Sequence, residues 1–298
     1  MDKADRSVRY IERTRAYYAA LGFAEPYRWA AFAEVGMSPL GKPLESATIA
    51  VVTTAAPYRA GLGNQDPGAP YNGGAKFYGV YSLPVDGPLD LRISHIAYDR
   101  VHTTAADQNT YVPIATLRRA AHEGRIGALS QRLIGLPTDR SREKTTDVYA
   151  PMVRDICRED GADAVILVPN CPVCHQSVSL VARYLEAEGL PTVVFGCAKD
   201  IVERCRVARF YFSDFPLGNA VGKPFDRGSQ DATVAGGIDL LRTATDPGRT
   251  VLNPQTWDTT DVWKRDFCSV EALSPSELSA LRDDFDREKA RSRRNRQA

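Results

Sequence analysis

The run Cys171-Pro172-Val173-Cys174-His175 places two thiols and an imidazole within five residues. Sulfur attacks carbon or another sulfur as a thiolate, and a free Cys holds its proton up to a pKa of about 8.5. A helix start lowers that value through its unpaired N–H groups and partial positive charge, and an imidazolium beside the thiol lowers it further. The C-x-x-C spacing also lets one sulfur attack and the other resolve the adduct as a disulfide. Cys171 and Cys174 are therefore the candidate nucleophile and resolving thiol, with His175 as a proton donor. Three other readings of the same residues compete. Cys171, Cys174 and His175 are possible ligands of a metal, buried free thiols are ordinary packing material, and C-x-x-C-H is the attachment signature of c-type haem. Haem is set aside because the motif lies between a strand and a helix with no axial Met nearby.

The flanking residues say what positions the thiols. Ala164 to Val168 is a short β-branched run that reads as a buried strand. Ser177 to Gly189 places Val178, Val181, Ala182 and Leu185 on one helical face and ends at glycine, and Leu190 to Gly196 reads as the returning strand. This is a βαβ unit with the thiols in its strand-to-helix turn, beyond the carboxyl end of a strand, where open α/β sheets collect ligands. A second titratable run, Ile93 to Arg100, offers His95 as a general acid with Asp99 to orient it. Tyr98, Asn109, Asn170 and Asn219 are the candidate substrate-binding side chains. Cys157 falls on an apolar helical face and reads as packing, and Cys197, at another strand end, is a weaker site candidate.

Ala47 to Thr54 reads as the first buried strand, followed by a long Gly/Pro/Asn-rich loop to Ala75 and further strands over residues 76–83 and 89–97. Helices are expected from Asp5 to Leu21, after Val112, over 147–160, over 198–205 and over 231–245. Arg125 to Leu129 reads as a connector and Arg209 to Phe212 as an edge strand. Trp257 and Trp263 mark a covering segment, and Ser274-Pro275-Ser276-Glu277 opens a terminal helix. The expected fold is α/β with mainly parallel sheet flanked by helices, as one catalytic domain over residues 1–285 or as two Rossmann-like lobes meeting near residue 145. Residues 286–298 read as a flexible basic tail.

With 298 residues the chain can bury a large core, and its 43% apolar and 25% charged residues are those of an ordinary globular protein. A net charge of +1 gives no electrostatic case for nucleic acid or a membrane surface. No apolar run nears the roughly 20 residues that span a bilayer, and the charged N-terminus is not a signal peptide. Six cysteines without a secretion signal imply reduced thiols in a cytoplasm.

Several segments in order resemble the selenoprotein B component of glycine/sarcosine/betaine reductase and the related selenocysteine subunit of D-proline reductase. His95-x-x-Tyr98-Asp99 is similar to the family's His-Gly-Gly-Tyr-Asp. Arg125 to Leu129 is similar to its Ile-Gly-Lys-Leu segment, and Phe215-Pro216-Leu217-Gly218-Asn219 to its Pro-Leu-Gly-Asn. The strand from Ala162 to Leu167 and the helix end and return strand from Leu185 to Val193 also match. The resemblance implies a reductase in which Cys171 stands where the family has selenocysteine and Cys174 where a cysteine follows. It also implies that the family's pyruvoyl group belongs to a separate chain.

The expectation is a thiol-dependent reductase that cleaves a bond in a small amine- or sulfur-containing substrate. It needs no bound cofactor, and an external dithiol, such as a thioredoxin-like protein, resupplies electrons. The chain is expected to be a homo-oligomer. A metal site built from Cys171, Cys174 and His175, with His95 as a possible fourth ligand, is the first alternative. A racemase like those for Asp and Glu is the second; it needs a facing Cys, and the first half of the chain has none.

Overall fold

The computed structural model describes residues 6–95, 97–271 and 273–297; Met1 to Asp5, Ile96, Ala272 and Ala298 lie outside them. In chain order the elements are α1 (Tyr10–Ala20), β1 (Thr48–Thr53), β2 (Ala56–Pro57), β3 (Tyr81–Pro84), β4 (Leu91–Arg92), α2 (Ile114–His122) and β5 (Ala128–Gly135). There follow α3 (Arg142–Lys144), a π turn (Thr145–Tyr149), α4 (Ala150–Glu159), β6 (Ala164–Val168), α5 (Pro172–Ala187), β7 (Thr192–Gly196), α6 (Lys199–Cys205) and β8 (Arg209–Phe212). The chain ends with α7 (Arg227–Thr243), β9 (Arg249–Leu252), α8 (Trp263–Asp266) and α9 (Pro275–Gln297).

Seven strands form one sheet in the order β3-β5-β1-β6-β7-β8-β9. All neighbours run parallel except β3, which lies antiparallel on β5 at one edge. The period of two that defines a strand sends alternate residues to opposite faces. Ile49, Val51, Ile166 and Val168 join the core under α2 and α7, while Ala50, Val52, Val165 and Leu167 join the core under α4 and α5. Both faces are covered, which is why β1, β6 and β7 read as continuous apolar runs.

β2 and β4 pair antiparallel in a separate two-stranded sheet, and residue 145 falls inside the unbroken helical stretch from Arg142 to Glu159. The structure amends three expectations. β5 was hidden by its polar edge, Ser130, Gln131 and Arg132, and extends well past the connector expected at Arg125 to Leu129. The strands expected over 76–83 and 89–97 shrink to β3 and β4. β8 is interior, because β9 pairs along its whole length.

The expected basic tail is the second half of α9, a helix docked by polar bonds rather than by an apolar stripe. Glu288 Oε2 accepts the Gly73 N–H at 2.6 Å, and Asn295 Nδ2 donates to the carbonyls of Gly74 at 3.1 Å and Lys76 at 2.8 Å. A Cβ on Gly73 would stand 2.5 Å from the Glu288 carbonyl oxygen, so the close approach requires glycine there.

At the opposite end of the sheet a buried ion pair ties four segments together. Arg209 Nη1 lies 2.9 Å from Glu186 Oε1, and both side chains are about 1% exposed. Glu186 also accepts from the Thr192 amide and hydroxyl, each at 2.7 Å, and from the Ser38 amide at 2.5 Å. Arg209 Nη2 donates to the Ser38 carbonyl at 2.8 Å.

Candidate active site

The chain leaves β6 at Val168 and enters α5 with Cys171 as its N-cap and Pro172 at the first helical position, where a missing N–H costs nothing. The Cys171 sulfur takes the role usually filled by a hydroxyl or carboxylate. It accepts the Cys174 N–H at 3.3 Å. One helical turn then sets Cys174 Sγ 2.7 Å from Cys171 Sγ. β1 lies between β5 and β6, so the chain crosses to both sides of it and leaves a switch point at the carboxyl ends of these strands. Each of the three strand ends delivers a group: Thr54 follows β1, Thr138 follows β5, and the thiols follow β6. The Thr138 hydroxyl lies 3.5 Å from Cys174 Sγ.

His95 reaches the same spot from the loop after β4. Its ring nitrogen and the two sulfurs lie within 4.8 Å of one another. Its Nδ1 is buried without a hydrogen-bond partner, as are both side-chain polar atoms of Asn170. Burial opposes a thiolate at Cys174. The Cys171 S–H, the charge and hydrogen bond of His95 and the Thr54 hydroxyl outweigh it, and Cys174 is held well below the ordinary thiol range. Burial, then the hydrogen bond to Cys174 and its negative charge, push Cys171 up. The surroundings thus favour a thiolate at Cys174 over one at Cys171. Burial pushes Cys157, Cys205 and Cys268 up to about 12 and raises Cys197 as well, so Cys174 alone among the six thiols is lowered.

His175 does not join this cluster as expected. Its Nδ1 lies 2.8 Å from the Cys171 carbonyl oxygen, and its Nε2 accepts the Cys197 N–H at 2.9 Å. The tautomer is therefore Nδ1–H, both nitrogens are occupied, and no proton or lone pair is left for catalysis or metal. The ring clips α5 to the end of β7. A Cβ on Gly196 would stand 2.8 Å from it, so glycine makes the room. Complete burial lowers its pKa to about 4, against about 6.5 for a free imidazole. Between these values the unfolded chain binds the extra proton, so the contribution of His175 to stability is complete above about 6.5 and is withdrawn as pH falls toward 4. The loss should reach about 3 kcal/mol. Urea titrations should show wild type losing stability between pH 7 and 4.5 more steeply than His175→Asn; equal slopes would refute the assignment. Asp200, raised to about 6 by burial, works in the opposite sense in both proteins and cancels in the comparison.

Other expected residues lie apart from the thiols. Asp99 orients His102 rather than His95, accepting from its amide and lying 3.0 Å from its Nδ1. Tyr98 is buried against Gly218 with Arg100 over its ring, 4.3 Å from the centroid. Asn109 donates to Asp107 at 2.8 Å, and Asn219 donates to the Pro216 carbonyl at 3.0 Å. Tyr98, Asp99, Asn109 and Asn219 fasten the loops around 98–110 and 213–222 and do not line the cleft that reaches Cys171.

That cleft encloses about 420 Å³, with Cys171, Pro172 and His95 in its wall. Cys171 is 5% exposed and Cys174 is sealed. Five cations line it, Lys76, Arg140, Lys289, Arg293 and Arg296, against the carboxylates Glu25 and Asp139. Sequence reasoning missed Thr54 beside Cys174 and, in this wall, Thr138, Arg140 and every residue of α9. The only signal was that Thr54 ends an apolar strand and that basic residues recur along the terminal helix.

Fold and site together define an α/β protein that presents a thiol pair at the switch point of its seven-stranded sheet. Comparison with known proteins gives the family. The profile of glycine/sarcosine/betaine reductase selenoprotein B matches residues 11–170, over half of the chain, and the chain belongs to that family. D-proline reductase subunit gamma of Acetoanaerobium sticklandii is 27% identical over 219 residues, covering 73% of this chain and 87% of that subunit. Both matches are to reductase components. No solved structure matches the chain. Among the described residues no helix is long and apolar enough to cross a membrane.

Proposed function

We propose that this chain is the thiol-bearing subunit of a reductase of the selenoprotein B type, with Cys171 and Cys174 in place of a selenocysteine–cysteine pair. The observation that carries the reading is the contact of the two sulfurs at 2.7 Å on the helix start, with Cys171 facing the cleft. Cys174 takes the Cys171 proton as Cys171 attacks the substrate carbon. A C–S bond forms, the C–N bond breaks, and His95 protonates the departing amine. Cys174 then attacks the Cys171 sulfur. The S–S bond forms, the C–S bond breaks, and the electron pair left on carbon takes the Cys174 proton. The sum is R–N plus two thiols giving R–H, H–N and a disulfide. An external dithiol restores the pair and is itself oxidised. A sulfur-containing substrate reacts in the same way at a C–S bond.

Titration with diamide should remove two hydrogens from the intact mass, restored by a dithiol, with peptide mapping placing the disulfide at Cys171 and Cys174. A pair that stays reduced under excess oxidant would end the proposal. The metal reading has one observation in its favour, the three ligand atoms of His95, Cys171 and Cys174 within 4.8 Å. Stoichiometric zinc or iron in protein purified without chelators would replace the dithiol reading with that one. Both thiols sit on one turn of α5, on the same side of the cleft, and this arrangement does not supply the two opposed bases of a racemase.

A further inference from the structure

The names of the family and of its relative speak of glycine, sarcosine, betaine and proline. These are compact molecules with one carboxylate each. The cleft over Cys171 is built for something else. Its volume of about 420 Å³ is in the range that encloses drug-sized ligands. Its cations outnumber its carboxylates by five to two, on a chain whose net charge is only +1. Asp139 is already engaged, accepting from the Tyr149 hydroxyl at 2.8 Å, paired with Lys144 at 3.2 Å and lying 3.9 Å from Arg296, which leaves Lys76, Arg140, Lys289 and Arg293 without a carboxylate partner among the described residues. The positive excess is therefore aimed at a ligand. A concave wall of one sign concentrates anions from solution.

Much of the remaining wall is aromatic. Tyr18, Tyr27, Trp29, Tyr78 and Phe285 offer ring faces and edges to an apolar body. Lys289, Arg293 and Arg296 come from α9, the segment with the least apolar sequence pattern in the chain. Its polar docking on Gly73, Gly74 and Lys76 holds those charges over the cleft.

We infer that the substrate is an organic anion carrying at least two negative charges on an apolar or aromatic body, and that α9 sets this specificity through Lys289 and Arg293. The inference rests on the proposed function only for the reacting atom, which Cys171 must reach.

Naphthalene-1,5-disulfonate, naphthalene-1-sulfonate, glycine and D-proline serve as probes on the full chain. Each is scored by calorimetric affinity and by protection of Cys171 from iodoacetamide, read by peptide mass. The disulfonate should bind at least about tenfold more tightly than the monosulfonate, protect Cys171, and weaken as salt rises past the range where the Debye length is about 10 Å. Lys289→Gln with Arg293→Gln should weaken the disulfonate about tenfold and the monosulfonate less, while Arg294→Gln, outside the cleft, should change neither. Equal affinity for the two sulfonates, or better protection by glycine or D-proline, would overturn the inference. So would a double variant that binds like wild type while its circular dichroism is unchanged. The two proposals fail separately. Disulfonate binding with a pair that never forms a disulfide removes the reductase and keeps the specificity; oxidation of the pair without disulfonate binding does the reverse.

Discussion

A Cys174→Ser variant should stop with its substrate bound to Cys171, and turnover coupled to dithiol oxidation should fall at least about a thousandfold. The reason is geometric. Cys171 is the sulfur in the cleft wall, while Cys174 is fully sealed behind it, 2.7 Å away. Only Cys171 can meet a substrate, and only Cys174 is close enough to release it. Serine at 174 keeps the size and a hydroxyl, so the Cys171 proton leaves to the neighbouring His95 and the adduct forms more slowly, but no S–S bond can release it. Cys171→Ser should lose turnover to the same degree and form no adduct. The asymmetry is the diagnostic: intact mass after exposure to substrate shows an added group in Cys174→Ser alone. Full turnover in both variants would end the thiol mechanism, and an adduct carried by Cys174 in wild type would exchange the two roles.

Glu186→Ala should lower the free energy of unfolding by about 3–5 kcal/mol. Among the described residues, this carboxylate is the one ion-pair partner of Arg209, a guanidinium with about 1% of its side chain exposed. Removing it leaves a buried charge unpaired and strips partners from the Thr192 and Ser38 amides. Arg209 Nε already lacks a hydrogen-bond partner, so the site has little slack. Glu186→Gln keeps a side-chain oxygen for these donors and should cost less. Glu186→Leu combined with Arg209→Met removes both charges and should recover much of the loss, since a paired burial is worth little against an apolar replacement. Urea unfolding at pH 7 measures all three, and a cost below about 1 kcal/mol for the alanine variant would contradict the arrangement. This pair lies at the amino-terminal end of the parallel strands, away from the thiols, so the test separates folding from chemistry.

Much of the scaffold was legible along the chain because its signals are local. The β-branched runs of β1, β6 and β7, the glycine after α5 and the helical spacing of Val178, Val181 and Leu185 each depend on near neighbours. The βαβ unit and the position of Cys171 and Cys174 in its turn follow from them. β5 was missed because it carries Ser130, Gln131 and Arg132, and the partners of Ser130 and Arg132 are Asp160 and Glu159 some 30 residues on. The start of α9 was legible in its cap at Ser274, but the docking of its second half was missed because polar contacts with a glycine-rich loop more than 200 residues away leave no periodic trace. The bonding of His175 was illegible for the same reason: its second partner, the Cys197 amide, belongs to the next strand end.

The chain alone determined an α/β sheet and two thiols at a helix start, since hydrophobic periodicity and capping are properties of neighbouring residues. Tertiary structure decided which groups act together. It brought His95, Thr54 and Thr138 to the sulfurs, withdrew His175 and Asp99 into supporting roles, and laid the basic terminal helix over the cleft. Proton sharing and charge recognition depend on separations of a few ångströms in space, and those separations are fixed only when distant strand ends meet at one edge of the sheet.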